Sequence, residues 1–487
     1  MKKHAVIIGG GLGGLSAAIK LQATGWQVTL LEKNNDVGGK LHEVVIGSHH
    51  FDFGPNTITM PHVFREVVQD AGENPDDYFT FEKLDVHTKN VFADRSSFYF
   101  SSEKERMKEE LLKLDPFAAD KYEDYLMEVE NLYSLARQHF FHRTFSSWKD
   151  YLSLPLAKAM ARVKPLTTLD AFHQQFFKDA RVRYAFNRYA TYIGSSPYTT
   201  PATFGLIGHL ELVDGVYFTR GGNHRIALGF LKLAKKLGVT LLTNTEVTKL
   251  EVKDQRIVAA ITDKEQRITG DKFILNGDLL TQFPRLVDKQ HRPHFSLKHV
   301  QPSISAFVIM AAMKTRLDLH HHHVFFGENP KREFTQLFDD QKFGDDPTIY
   351  ICTSSKTDET LSPDGDNLFI LVNAPPLSAD LNEKREPSFV IKERIYDQLE
   401  KRGLAIRDNV VNDITVDPTT IAAKFHAFRG SLYGIASNRK RDTFLRPYNA
   451  AKDISNLYFV GGSTHPGGGS PMVVLSGSNV ARKILSG

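Results

Sequence analysis

The first apolar block of the chain, Ala5-Val6-Ile7-Ile8, is continuous and stops at Gly9, the pattern of a strand buried on both faces of a parallel sheet. Leu15 to Leu21 then continue at helical spacing, Gly25 stops the helix, and Val28 to Leu31 form a second strand that Glu32 closes. The same alternation returns between Gly215 and Asp278. There a strand leads into an amphipathic helix from about His224 to Lys236, a β meander, and a buried strand from Phe273 that ends in the polar turn Asn276-Gly277-Asp278. It returns again near the C-terminus, where Leu457 to Val460 reads as a strand, 461–469 as a glycine-rich loop, and Pro471 opens a helix that runs to Leu485. Between these blocks, 86–212 is mostly helical in pattern and 286–425 is β-rich.

Glycines punctuate the first block at positions that matter chemically. Gly9, Gly11 and Gly14 fall on G-x-G-x-x-G between a strand and a helix. Gly9 permits the tight turn, Gly11 lets main chain approach a pyrophosphate, and Gly14 lets the helix pack on the sheet. The helix N-terminus offers free N–H groups to phosphate. Glu32 is placed to accept from both hydroxyls of an adenosine ribose, and its charge disfavours a 2′-phosphate. Strand, turn, helix, second strand and acid in register predict a dinucleotide site.

Composition changes this picture little. The 487 residues, 41% hydrophobic and 24% charged, describe an ordinary globular chain long enough for two or three domains, or for one large domain with an inserted cap. A net charge of +4 is too small to imply nucleic acid, and it is compatible with an anionic membrane surface. The single cysteine, Cys352, forms no internal disulfide, offers no metal-ligand set and suits a reducing cytoplasm. No signal peptide and no apolar stretch of about 18 residues is present, so any membrane contact is expected to be peripheral, at the inner face of the cell membrane.

After Glu32 the chain reads KNNDVGGKLHEV, and with Gly38-Gly39-Lys40 it resembles the flavin-binding amine-oxidase and carotenoid-desaturase superfamily. The resemblance implies FAD, with Gly38, Gly39 and Lys40 beside it. Lysine stands where arginine is commoner, which keeps the charge and loses the planar fork. It also implies that Val247 meets adenine through its backbone, that the turn at Asn276 lies near the pyrophosphate, and that Gly461, Gly462, Gly469, Pro471 and Met472 lie against the isoalloxazine and ribityl chain. Both chain ends gripping one cofactor require a discontinuous domain. The expected fold is α/β: a Rossmann-like FAD-binding domain in three parts (1–85, 213–285 and 426–487), an inserted β-sheet substrate domain (286–425), and a helical, membrane-associating cap (86–212).

Four phrases, FDFGPNTITMP, YATYIGSSPYTTPATF, FTRGGNHRIA and FVGGSTHPGGGSPMVVLSG, make the resemblance specific to the bacterial phytoene and diapophytoene desaturase family over essentially the whole chain. The terminal glycine phrase, with RGSLYGIASNRKRDTF, looks closer to its diaponeurosporene and diapolycopene oxygenases, while Thr464-His465 keeps a desaturase-like feature. The implied partner is a linear carotenoid, oxidised at a terminal methyl group or desaturated. A polyene has no group to ionise, so an apolar tunnel that aligns a C–H with the flavin is expected rather than an acid–base dyad or a metal. A lipid-chain carrier on the same scaffold would do no redox chemistry and would not need both flavin-gripping loops. Amine oxidation would call for an aromatic pair facing the flavin, which the C-terminal phrase does not supply. Oligomeric state is not legible.

Other residues invite roles. His465, inside the glycine-rich loop, is a candidate for catalysis or substrate positioning, or caps the loop; Tyr192, Tyr198 and Arg220 are candidate tunnel residues, or core and pairing residues. His320 to His323 form a row whose alternate residues point to opposite faces of a strand, so convergence on one ion is not expected and a solvated strand entry is. Residues 140–164 mix aromatics with Lys149, Lys158, Arg162 and Lys164, which reads either as a monotopic membrane face or as an amphipathic helix packed on the domain.

Overall fold

The computed structural model describes residues 2–380 and 385–487. Five short apolar strands form a parallel sheet in the order Leu457–Val460, Lys272–Asn276, His4–Ile8, Gln27–Leu31 and Thr240–Leu242. Ile8 sits opposite Leu275 on one side and Leu31 on the other, so the strand ends align at one rim. Three separate stretches of chain supply these strands, which makes the sheet discontinuous in sequence. Its faces are covered by helices Leu12–Ala23, Arg225–Leu237 and Ser470–Ser486 on one side and by a three-stranded meander beginning with Val247–Lys253 on the other.

The first and last helices meet backbone to backbone. A Cβ on Gly477 would lie 2.1 Å from the Gly13 carbonyl oxygen, so only glycine fits this crossing. Ser16 Oγ donates to the Val474 carbonyl at 3.0 Å and pairs with Ser478 Oγ at 2.8 Å, so the buried hydroxyls of this seam are satisfied. Leu15 and Ile19 are wholly buried beside it, and each contributes about 1.5–3 kcal/mol of transfer free energy, an upper estimate. This contact joins the two ends of the chain around one rim.

A second sheet has seven strands in the order Val410–Val416, Ser305–Met313, Asn367–Ala374, Ile349–Cys352, His322–Phe325, Val86–Val91 and Ser97–Ser101. Alternation assigns its faces. Leu368, Ile370 and Val372 pack against Ile391, Ile395 and Leu399 of helix Ser388–Lys401, while Phe369 and Leu371 point the other way, toward the nucleotide-binding sheet.

The hairpin 86–101 corrects the expected domain division. It pairs through Lys89 and His323 with the seven-stranded sheet, so 86–212 begins as sheet rather than cap. Phe98 and Phe100 carry a period-two signal, buried at every second residue, that the longer helical pattern downstream masks. From Lys104–Leu112 onward the segment is helical, led by Pro116–Ala136. Asp115 caps that helix at Ala118 N, and its second oxygen accepts from Lys178 N and Asp179 N, which ties the first helices to the last. Among the described residues no helix is long and apolar enough to cross a membrane.

Candidate active site

The sheet rim opens on a cavity of about 360 Å³. Gly9 leaves its strand at φ +103°, and a Cβ there would stand 2.0 Å from the Asn276 carbonyl oxygen; a Cβ on Gly14 would stand 2.2 Å from the Gly9 oxygen. Asn276 Nδ2 donates to Gly9 O at 2.8 Å, so the residue expected near a pyrophosphate holds the turn that would bind it. Gly11 is the N-cap of helix Leu12–Ala23 and supplies no side-chain cap, which leaves the first helical N–H groups facing the cavity wall formed by Gly11, Leu12 and Gly13. Glu32 is buried: Oε2 accepts from Gly10 N at 2.7 Å, and Oε1 from Asn34 N and Nδ2 at 2.9 and 2.8 Å. A side-chain-free turn, an uncapped helix start and a buried carboxylate at one cavity are the donor and acceptor set that a flavin adenine dinucleotide needs.

The rest of the expected cofactor set gathers here. Gly38 N donates to Gly10 O at 2.9 Å, and a Cβ on Gly39 would lie 3.2 Å from Gly11 Cα, so the glycine pair lies against the first turn. Lys40 lines the cavity and donates to Leu432 O at 2.6 Å; burial pulls its pKa down, against the opposing charge of Asp278. Val247 lines the cavity too, with its carbonyl taken by Arg285 Nη2 at 3.0 Å. Gly461, Gly462 and Gly469 complete the wall. Pro471 and Met472 line the neighbouring cavity, while Ser470 lines both and Val473 the nucleotide cavity, so the start of the last helix stands where the two meet.

That second cavity, about 330 Å³, is walled by residues such as Phe140, Phe204, Leu206, Ile207, Phe326 and Phe334. Gly54, Pro55, Leu371, Leu432, Tyr433 and Gly468 line both cavities, so the two meet there. Tyr192, Tyr198 and His465 line the second cavity. His465 is buried, its Nε2 donates to Phe140 O at 2.8 Å, and burial holds its pKa at about 4, so it is a neutral imidazole with a fixed tautomer.

Arg220 does not line it. Its exposed side chain pairs with Glu82 at 3.0 Å, on the far side of the short strand Tyr217–Thr219. The histidine row is corrected as well: His321, His322 and His323 are buried, and only His320 is partly open. Strand pairing sets His322 opposite Cys352, and the ligand atoms of His321, His322 and Cys352 lie within 4.8 Å of one another, a convergence that strand alternation alone did not anticipate because His321 precedes the strand. Burial lowers His321 to about 3 and raises the Cys352 thiol, so the trio is neutral as it stands.

Several functional residues carried no sequence signal. Arg446 lies in the core, and burial lowers its pKa to about 10. It donates to Tyr433 O, Ile435 O, Gly462 O and Ser437 Oγ, which clamps the glycine-rich loop at the junction of the cavities. Arg285 joins Glu246 and Val247 at the nucleotide end. Arg188, Thr57 and Tyr350 form a polar corner of the second cavity. These residues come together only through tertiary structure.

A family model described as flavin containing amine oxidoreductase matches residues 12–485. A 4,4'-diapolycopene oxygenase of Methylomonas sp. is 32% identical over 99% of this chain and 98% of its own, and a 1-hydroxycarotenoid 3,4-desaturase of Flavobacterium sp. (strain P99-3) is 33% identical over 97% of each. Among solved structures, a variant of putrescine oxidase superposes with a TM-score of 0.65 at 12% identity, covering 100% of this chain and 99% of its own. That likeness extends to the fold.

Proposed function

The chain belongs to the flavin containing amine oxidoreductase family and is an FAD-dependent oxidoreductase, and on that premise we propose that it oxidises a linear carotenoid, at the terminal methyl group of a C30 chain such as 4,4'-diaponeurosporene. The observation that carries this reading is the aromatic and aliphatic cavity that meets the nucleotide cavity at Leu432, Tyr433 and Gly468. A polyene offers no ionisable handle, so the work of such a wall is to exclude water and to fix one carbon at the junction. FAD, when bound, supplies the acceptor for the two electrons removed from the substrate.

The residues divide this work. Phe204, Leu206 and Ile207 clasp the chain, while the clamp of Arg446 on Gly462 holds the loop that both cavities share. His465 is a positioning residue in this scheme: neutral and with its N–H committed to Phe140 O, it shapes the wall rather than delivering a proton. Desaturation is the second reading, favoured by the desaturase among the relatives. Incubation with 4,4'-diaponeurosporene, lycopene and diapophytoene, followed by mass analysis, separates the two: a gain of oxygen supports the oxygenase, loss of two hydrogens supports the desaturase, and unchanged polyenes defeat both. A colourless protein would point to a carrier.

The same reading places the protein on the inner face of the cell membrane. Trp148, Leu152, Leu154 and Leu166 are 62%, 69%, 71% and 78% exposed, and Lys149, Lys158 and Arg162 stand exposed among them. Phe140 and Phe141, at the start of this segment, line the second cavity, so a bilayer-facing surface here would lie along the route of an apolar substrate. Trp148→Ser with Lys158→Glu is expected to weaken pelleting with anionic liposomes several-fold; unchanged pelleting would defeat the assignment.

A further inference from the structure

Among the described residues, one group of histidine and cysteine side chains has no part in either cavity's work. His321 stands just before strand His322–Phe325, and Cys352 ends strand Ile349–Cys352, which pairs with it antiparallel. Register sets His322 directly opposite Cys352, on one face of the sheet. All three side chains are buried, none more than 4% exposed, and one ligand atom of each lies within 4.8 Å of the others. A planar three-coordinate ion, with bonds of about 2.0 Å to nitrogen and about 2.3 Å to sulfur, sets its ligand atoms about 3.5–3.7 Å apart, so side-chain movements of about 1 Å close the set.

The ring nitrogens are already sorted. His321 Nδ1 pairs with Thr357 Oγ1 at 2.6 Å and His322 Nδ1 with the Tyr350 hydroxyl at 2.9 Å, whereas Nε2 of both rings has no hydrogen-bond partner. With Nδ1–H donating to those oxygens, each Nε2 keeps a free lone pair, which is the tautomer and orientation that outer hydroxyls impose in a metal site. Two buried nitrogens without partners are costly, and one ion answers both. The Tyr350 hydroxyl also stands beside the Cys352 sulfur, where it can donate to a thiolate. Coordination number selects the ion. Structural Zn2+ takes four ligands, and Asp52, the carboxylate whose field reaches His321 and Cys352, is committed to Asn223 N, His224 N and His224 Nδ1 at 2.6, 2.8 and 2.8 Å. A monovalent soft ion accepts three ligands, and with one thiolate and two neutral imidazoles its shell carries no net charge in this interior.

We propose that His321, His322 and Cys352 bind one cuprous ion, Cu+, in a buried three-coordinate site behind the wall of the two cavities. Cys352 pairs with Phe369, which lines both cavities, and Tyr350, which holds His322, lines the second, whose opening gives the ion its route in. The ion cross-links the chain at His321 to two strands of the seven-stranded sheet and stiffens the wall from behind. Binding forms one Cu–S and two Cu–N bonds, breaks the S–H bond and sends its proton to solvent; no electron changes hands. The site does not depend on which substrate the second cavity takes.

The test supplies Cu+ in two ways: anaerobically, from a competing chelator, to the purified FAD-loaded protein, and during expression, in copper-supplemented cells. Metal is counted by mass spectrometry, and its neighbours are identified by X-ray absorption. The wild type is expected to hold about one copper per chain, with two nitrogens and one sulfur around it, to keep that copper against equimolar Zn2+, and to unfold at a higher temperature when loaded. Cys352→Ser is expected to lose the copper and its sulfur signal. Thr357→Val, which removes only the partner of His321 Nδ1, is expected to weaken Cu+ about tenfold to a hundredfold and to keep the sulfur neighbour. His320→Gln, outside the trio, is expected to bind as the wild type does. Absence of copper by both routes, copper without a sulfur neighbour, or undiminished binding in Cys352→Ser would overturn the proposal, and Zn2+ retained against Cu+ would overturn the choice of ion. If Cys352→Ser fails to fold, the copper count and X-ray absorption of the wild type decide.

Discussion

Around the nucleotide cavity the first turn is main chain, set by Gly9, Gly11, Gly14 and the start of one helix, with the buried Glu32 carboxylate beside it. Across Leu432 and Gly468 the neighbouring cavity is side chain almost throughout, drawn from the loop after Phe53, the helical layer, the seven-stranded sheet and the last loop. The contrast teaches where tolerance lies. A backbone cradle fails all at once when one Cβ is added, whereas a side-chain wall is adjustable residue by residue.

The sharpest way to break this comparison is at Gly9. Gly9→Ala puts a methyl group 2.0 Å from the Asn276 oxygen at a φ of +103°, and the purified protein is expected to lose FAD altogether, read from its absorption spectrum. Glu32→Ala is expected to do less: the Gly10 and Asn34 donors lose their acceptor, and FAD binding weakens about tenfold to a hundredfold by fluorescence titration. On the other side, Ile207→Trp overfills the second cavity and is expected to cut kcat/KM for the polyene about tenfold with FAD content unchanged. Equal loss of FAD in that variant would dissolve the distinction between the two regions.

The smallest expected effect is on pH. With a pKa of about 4, His465 stays neutral above pH 5.5, so it contributes no limb near pH 6.5 to kcat/KM, whereas a titrating catalytic histidine would. Stability behaves differently. Because burial depresses this histidine in the folded state, it costs nothing above pH 6.5; below that the unfolded chain takes the proton first, and stability falls until the folded pKa near 4 is reached. His173, buried and also held at about 4, adds to the same fall. Thermal unfolding between pH 8 and pH 4 is expected to reveal a midpoint that drops only on the acid side.

The nucleotide side was legible because its chemistry is local. Gly9 to Glu32 places turn, helix start and acid within one strand–helix–strand unit, and each residue acts through the backbone or through its position at a strand end. The terminal loop and the start of the last helix announced themselves for the same reason, as a glycine run between a strand and a helix. The second cavity was not legible in this way. Arg188, Tyr350 and Thr57 lie in three distant stretches, and nothing in the spacing of any one of them announces the other two. Arg220 misled because its motif abuts a strand whose exposed side it occupies, and the histidine row misled because polar residues read as solvated until strand pairing buries them. The hairpin 86–101 was hidden by its brevity beside a long helical run.

In the proposed function one cavity holds FAD while the adjoining cavity presents a polyene to it for oxidation. Anaerobic mixing of the FAD-loaded protein with 4,4'-diaponeurosporene and, separately, with its terminal aldehyde tests this most directly. The yellow flavin absorption is expected to bleach in a single turnover as the polyene is oxidised. Flavin absorption that stays unchanged while both polyenes are bound would contradict it.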